Sequence, residues 1–267
     1  MKVSIIGCGN MGLTYAKSFV AYNKVVAGKL TLVARDKTGV ERIKSYGFNN
    51  VTDIINGDVL SSHVIILSVK PQDLSTVAKR LTGKIKPDTL VISILAGIKL
   101  ERLSFELNHK LIVRAMPNMP AQFGLGITCY VPHSSVSVHQ VSTVENLLST
   151  TGRVVLLDDE NLIDAVTAVS GSGPAYFYYF LNSMIEAGIK LGLDEGLTEL
   201  LVKETMLGAY HVFNNTNLDL KELISKVASK GGTTEAALKV FNSHATDEVI
   251  VKAISMAANR AKELSKV

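Results

Sequence analysis

From residue 1 to about residue 158, short apolar runs alternate with longer stretches of helical period. The runs Lys2–Gly7, Lys29–Ala34, His63–Val69, Thr89–Ile94 and Lys110–Arg114 are rich in Val, Ile and Leu and nearly continuous. That is the pattern of strands covered on both faces of a parallel sheet. Two further runs, Ile127–Val131 and Arg153–Leu157, flank a helical stretch and are expected to extend the sheet. After residue 159 the strand signals stop. Ala175–Leu193 sets Phe177, Phe180, Leu181, Met184, Ile185, Gly188 and Leu191 at helical spacing. Leu197–Val212 continues in helix, and Asp247–Leu264 sets Ile250, Ile254, Ala257, Ala258, Ala261 and Leu264 on one stripe. The pattern predicts an α/β chain, with a Rossmann-like, mostly parallel sheet domain over 1–158 and an all-α domain over 159–267. So much apolar helix cannot cover itself as a thin bundle, so the helical domain is expected to form a homodimer.

Composition narrows this picture by exclusion. With 47% apolar and 19% charged residues in 267, the chain is globular rather than disordered. The net charge of +4 is mild and its lysines and arginines are scattered, so nucleic acid is not an expected partner. The two cysteines, Cys8 and Cys129, form no C-x-x-C pair, and the six histidines lack ligand spacing; no metal or disulfide framework is expected. The first strand begins at Lys2, leaving no room for a signal peptide. Asn182, Glu186 and Lys190 interrupt the most apolar helix, so no membrane association is expected, and the protein reads as cytoplasmic.

Gly7-Cys8-Gly9-Asn10-Met11-Gly12 fits G-x-G-x-x-G where a strand ends and a helix begins. Gly7 makes the tight turn, Gly9 lets the backbone approach a pyrophosphate, and Gly12 permits close helix–strand packing. The helix start then offers free N–H groups to phosphate. At the end of the next strand Ala34 stands where an NAD site carries an acid, and Arg35 can pair with a 2′-phosphate. NADPH is therefore the expected cofactor, with Asp36 keeping NADH open. Val69-Lys70-Pro71 and Ala96-Gly97 end two further strands and should line the same crevice. The Lys70 ammonium reads equally well as a solvated surface charge.

Five segments together resemble the pyrroline-5-carboxylate reductases. They are Gly7 to Gly12; Val69-Lys70-Pro71-Gln72; Arg114-Ala115-Met116-Pro117-Asn118-Met119-Pro120; Ala168 to Tyr176; and Val227-Ala228-Ser229-Lys230-Gly231-Gly232-Thr233-Thr234-Glu235-Ala236-Ala237-Leu238. The resemblance implies a dimer through the helical domain, with larger rings of dimers open. It implies Asn118 beside the cofactor, and Ser229, Gly231, Gly232, Thr233 and Thr234 around the substrate, with main-chain N–H groups on its carboxylate and the Thr234 hydroxyl at its ring nitrogen. A double glycine followed by two threonines is independently an anion-ready helix start. Ser170 to Tyr176 is expected to be a second helix-start turn near the nicotinamide. There are departures: Ala34 and Asp36 replace the hydroxyl or amide partners common in the family, and Lys230 stands where some members carry proline.

The implied reaction is hydride transfer to the cyclic imine pyrroline-5-carboxylate, giving proline. A protonated imine carries its own positive charge, so positioning and one hydrogen bond, from Thr234, should suffice. Three alternatives remain: a reductase of a related, for example six-membered, imine; a β-hydroxyacid-type dehydrogenase; and a non-catalytic NADP-sensing paralogue. The dehydrogenase reading needs a lysine four residues past Gly173, where Phe177 stands. The intact Gly231-Gly232 and Thr234 weigh against the sensor.

Overall fold

The computed structural model describes residues 1–264. Eight strands form one sheet: β1 (Val3–Ile6), β2 (Leu30–Val33), β3 (Val51–Thr52), β4 (Val64–Leu67), β5 (Leu90–Ser93), β6 (Ile112–Met116), β7 (Gly126–Pro132) and β8 (Gly152–Leu156). Their order is β3-β2-β1-β4-β5-β6-β7-β8, and every pairing is parallel except β6 with β7. The seven expected strands are all present. The two-residue β3 had no sequence signal, because a pair of residues carries no period.

Twelve α-helices accompany them: α1 (Asn10–Ala21), α2 (Lys37–Lys44), α3 (Gly57–Leu60), α4 (Leu74–Leu81), α5 (Leu100–Leu107), α6 (Val138–Leu148), α7 (Leu162–Val166), α8 (Gly173–Lys190), α9 (Glu195–Asn214), α10 (Leu220–Val227), α11 (Thr233–Ser243) and α12 (Thr246–Leu264). No helix of the described residues is long and apolar enough to cross a membrane. The chain divides into two compact units. One is Met1–Ser172 with the stretch that starts at Ala257, and the other is Gly173–Met256.

Strands β1, β2, β4 and β5 are buried at every residue, as their nearly continuous apolar runs require, with Ser4, Thr31 and Ser93 the polar exceptions. Alternation sorts them into two cores. Leu32, Ile5, Ile66, Ile92 and Val113 stand opposite one another across five strands and feed one core. Val33, Ile6 and Leu67 form the next row and feed the other. A one-residue slip anywhere would exchange both sets, so the register is strongly fixed.

A buried charge ties the far side of this unit. Arg114 on β6 has a side chain 1% exposed and donates to Glu160 Oε1 at 2.9 Å and to Asp164 Oδ1 at 3.0 Å. The same Glu160 oxygen accepts from the Leu100 N–H at 2.7 Å, at the first residue of α5. One cluster thus joins β6, α5 and α7. Helix α7 runs into a π-helical turn over Thr167–Gly171, closed by Ser172 N–H to Thr167 O at 2.8 Å. The segment Ser170 to Tyr176, expected as a helix-start turn, contains the start of α8 at Gly173, and its first residues are already wound in the π-helical turn.

Within the second unit little is buried: among the described residues just Gly173, Gly188, Thr198 and Val202. Helices α8 and α9 approach closely enough that a Cβ on Gly188 would lie 2.4 Å from Thr198 Cγ2. Phe177, Tyr179, Leu200, Ile224, Val251 and many other apolar side chains remain exposed.

Removing one partner of a buried ion pair leaves the other uncompensated. Asp164→Ala is expected to cost about 3–5 kcal/mol, read as a lowered urea midpoint at fixed protein concentration; an unchanged midpoint would show the cluster to be energetically idle.

Candidate active site

Strand β1 hands the chain to Gly7, whose φ of +94° a side chain would oppose. A Cβ on Gly7 would lie 2.6 Å from the Val69 nitrogen at the end of β4, and one on Gly12 would lie 2.3 Å from Gly7 O. The two strand ends and α1 are in backbone contact, and only glycine allows it. Helix α1 then starts with Gly9 as its cap and no side chain bonded to its first N–H groups. No protein atom comes within 4 Å of where a Gly9 Cβ would sit. Open space beside uncapped amides is a cradle that suits a phosphate.

The cradle opens into a cleft of about 790 Å³ within the first unit. It is lined by Gly7 to Met11, by Ala34 and Arg35 after β2, by Val69, Lys70 and Pro71 after β4, and by Ala96 after β5. Four strand ends separated by up to ninety residues of chain are thus brought together. Gly12 lies beneath the turn. Gly97 lies elsewhere, against Leu264 of α12, where a Cβ would meet Leu264 Cβ at 2.9 Å. Asn118 is also outside the cleft lining: its amide accepts from the Ile127 N–H at 3.0 Å and donates to Ser170 Oγ at 3.3 Å, tying the Pro117 turn to β7 and the π-helical turn.

Each charged group near the cleft has a distinct position. Asp36 caps α2, accepting from the Gly39 N–H at 2.8 Å. Arg42 donates to Cys8 O at 2.9 Å and so braces the glycine turn. Arg35 reaches Asp73 at 3.4 Å, with both side chains well exposed. Lys70 is exposed, and its carbonyl accepts from the Asp73 N–H at 2.9 Å. Sequence reasoning missed Arg42, Asp73, Thr76 and Arg80, which also line the cleft. Helical spacing along α4 could have flagged Thr76 and Arg80, but not which way that helix faces. Burial pushes the Cys8 thiol up to about 12, so it stays neutral and is no nucleophile.

In the second unit the segment Ser229–Thr234 folds back on itself before α11. Gly231 has φ +73°, and the Gly232 N–H donates to Ser229 O at 3.0 Å. Gly232 caps α11 with no side-chain bond, and a Cβ there would strike Ser229 Oγ at 2.5 Å. Thr233 and Thr234 occupy the first turn, with Thr234 half-buried. Glu235 reaches back so that its carboxylate accepts from the Gly231 N–H, while its other oxygen lies 3.4 Å from Lys239 Nζ. This start is thus anion-ready, and its own side chain already brings an anion to it.

Residues 160–264 match the family model described as pyrroline-5-carboxylate reductase dimerisation, and residues 2–97 match NADP oxidoreductase coenzyme F420-dependent. The chain is 36% identical to the pyrroline-5-carboxylate reductase of Pseudomonas aeruginosa, covering 99% of this chain and 97% of that one. The chain belongs to the pyrroline-5-carboxylate reductase family. A solved member from Coxiella burnetii matches at 32% identity and TM-score 0.85, covering 100% of this chain and 99% of that one. A pyrroline carboxylate reductase of Plasmodium falciparum with NADP bound matches at 25% identity and TM-score 0.90, covering 99% and 98%. The glycine turn falls in one family segment and Ser229–Thr234 in the other; Asn118 falls in neither.

Cys129 is buried too, and burial raises its thiol as well. Neither cysteine is expected to react with iodoacetamide at pH 8 until the protein is unfolded, as followed by mass spectrometry; rapid labelling of Cys8 in the native protein would contradict its neutral, buried state.

Proposed function

We propose that this chain is a cytoplasmic, NADPH-preferring pyrroline-5-carboxylate reductase that converts the cyclic imine to proline as a homodimer. The observation that carries this reading is the end-to-end match to reductases of that name, which includes both uncapped helix starts. The first start, at Gly9, holds the cofactor pyrophosphate; Val69 to Pro71 and Ala96 form the adjoining wall, and Arg35 borders the adenosine end. Two free, buried cysteines suit a reducing compartment.

Bound dihydronicotinamide supplies the hydride. The chain's own residues do the rest by positioning. Main-chain N–H groups of the Gly231 to Thr234 turn other than that of Gly232, which already donates to Ser229 O, hold the substrate carboxylate, aided by the positive end of α11. The Thr234 hydroxyl oxygen accepts from the protonated ring nitrogen, fixing which face of the C=N bond is presented. The substrate arrives as an iminium ion, so no strong acid is required, and no lysine stands at Phe177 to supply one. The bond from Thr234 is charge-assisted, which ranks it among the stronger single contacts available to the site.

The helical unit is where subunits join. An isolated unit with four buried residues lacks the core to stand alone, and its exposed Phe177, Leu200, Ile224 and Val251 need a cover. The family model that spans this region is one of dimerisation.

NADPH oxidation with pyrroline-5-carboxylate is the direct test. Turnover should exceed that with NADH, and Thr234→Ala should lower kcat/KM by roughly 10- to 100-fold, the loss of one charge-assisted hydrogen bond. No turnover with either cofactor while NADPH still binds would defeat the reductase reading and favour the sensor. Sedimentation equilibrium should give a dimer or a multiple of one; a monomer at micromolar concentration would exclude the proposed assembly.

A further inference from the structure

Beside the nucleotide cleft lies a second cavity of about 700 Å³, lined by Arg35, Asp36, Lys37, Thr38, Asp53, Ile54, Ile55, Arg80 and Lys84. Arg35, Asp36, Asp53, Ile55 and Arg80 line both cavities, so the second continues the first at the end of β2, where the adenosine half of a dinucleotide lies. Four cations face two carboxylates there, and the carboxylates are not equivalent. Asp36 has an oxygen committed to the Gly39 N–H, whereas the Asp53 side chain has no such bond among the described residues; Asp73, outside this lining, holds Arg35.

The cations differ in the same way. Arg42, the other arginine of the cleft, is spent on Cys8 O. Arg35 is paired with Asp73. The side chains of Lys37, Arg80 and Lys84 have no hydrogen-bond or ion-pair partner among the described residues, and Arg80 is the guanidinium among them. Asp73, Thr76, Val77 and Arg80 recur at helical spacing, so one face of α4 and the turn before it is presented to the cleft, with Arg80 at its far end and Lys84 just beyond. A guanidinium without an internal partner, with an ammonium close by in a cavity that continues the nucleotide cleft, matches a phosphate dianion better than any neutral group.

We propose that Arg80, seconded by Lys84, is the group that distinguishes NADPH from NADH in this protein, gripping the 2′-phosphate from α4, while Arg35 remains a cover for adenine. This rests on the NADPH reading above. It also supplies what Ala34 and Asp36 cannot: with no hydroxyl or amide at those two positions, the phosphate is reached from the neighbouring helix instead.

Binding of 2′,5′-ADP and of 5′-AMP, measured by calorimetry, isolates the phosphate without any turnover. The unmodified protein should prefer 2′,5′-ADP. Arg80→Gln should cut that preference about tenfold and Lys84→Gln about threefold, while Arg80→Lys restores part of it and Arg35→Gln weakens both nucleotides alike. Arg80 is exposed, so its loss should leave the melting temperature in place. A preference that survives Arg80→Gln, or that Arg35→Gln alone abolishes, overturns the inference while leaving the reductase intact. Equal affinity of the unmodified protein for both nucleotides overturns the NADPH preference and this inference together.

Discussion

The nucleotide end of the molecule depends on how closely the chain passes itself at Gly7. Strand order reverses direction at β1, which has β2 on one side and β4 on the other, so the connections leaving β1 and β4 part company there. A crevice opens only if the two strand ends stay together while the helices diverge. The 2.6 Å approach of a Gly7 Cβ to the Val69 nitrogen, and the 2.3 Å approach of a Gly12 Cβ to Gly7 O, measure how tight that junction is. Any side chain at either place would push α1 outward and spoil the alignment of its first N–H groups. Gly9, with open space around it, is free for the opposite reason: the room belongs to a ligand.

Much of this was legible because it is local. Strand runs are nearly continuous, and the glycine turn spans six residues. What was hidden depended on distance or direction. Arg80 is 45 positions from Arg35, and nothing in either neighbourhood says that α4 turns that face inward. Gly97 followed a strand end, as Ala96 did, yet the chain swings away so that Gly97 packs on α12. The resemblance implies a helix-start turn over Ser170 to Tyr176, and α8 does start within it at Gly173, though not at its first residues. There α7 runs on directly as a π-helical turn, with a fifth-residue bond that composition does not reveal.

The two units solve the problem of burial in unlike ways. The first covers a sheet on both faces and fills two cores, so its stability is internal. The second leaves many apolar side chains exposed on its helices, and four buried residues cannot offset the entropy of ordering it. Its hydrophobic excess has to be read as surface intended for another chain, in keeping with the dimerisation family that spans it. Proposed substrate residues on such a unit would be ordered only as the assembly forms, which couples activity to association.

At the proposed substrate end the free chain satisfies an N–H group with its own carboxylate, and this shapes how a carboxylate ligand can bind. Glu235 accepts from Gly231 and is held from the other side by Lys239. An incoming carboxylate that takes the Gly231 N–H exchanges one anion for another rather than filling an empty place. The gain from that contact is therefore small, and the displaced Glu235 keeps Lys239 as a partner. Discrimination then falls to contacts that Glu235 cannot mimic, of which the Thr234 hydroxyl is the nearest. A hydrogen bond at the reacting nitrogen fixes which face of the C=N bond meets the hydride, whereas an exchanged carboxylate mainly sets affinity. On this argument the segment uses its backbone to accept anions in general and Thr234 to make the distinction that matters for the chemistry.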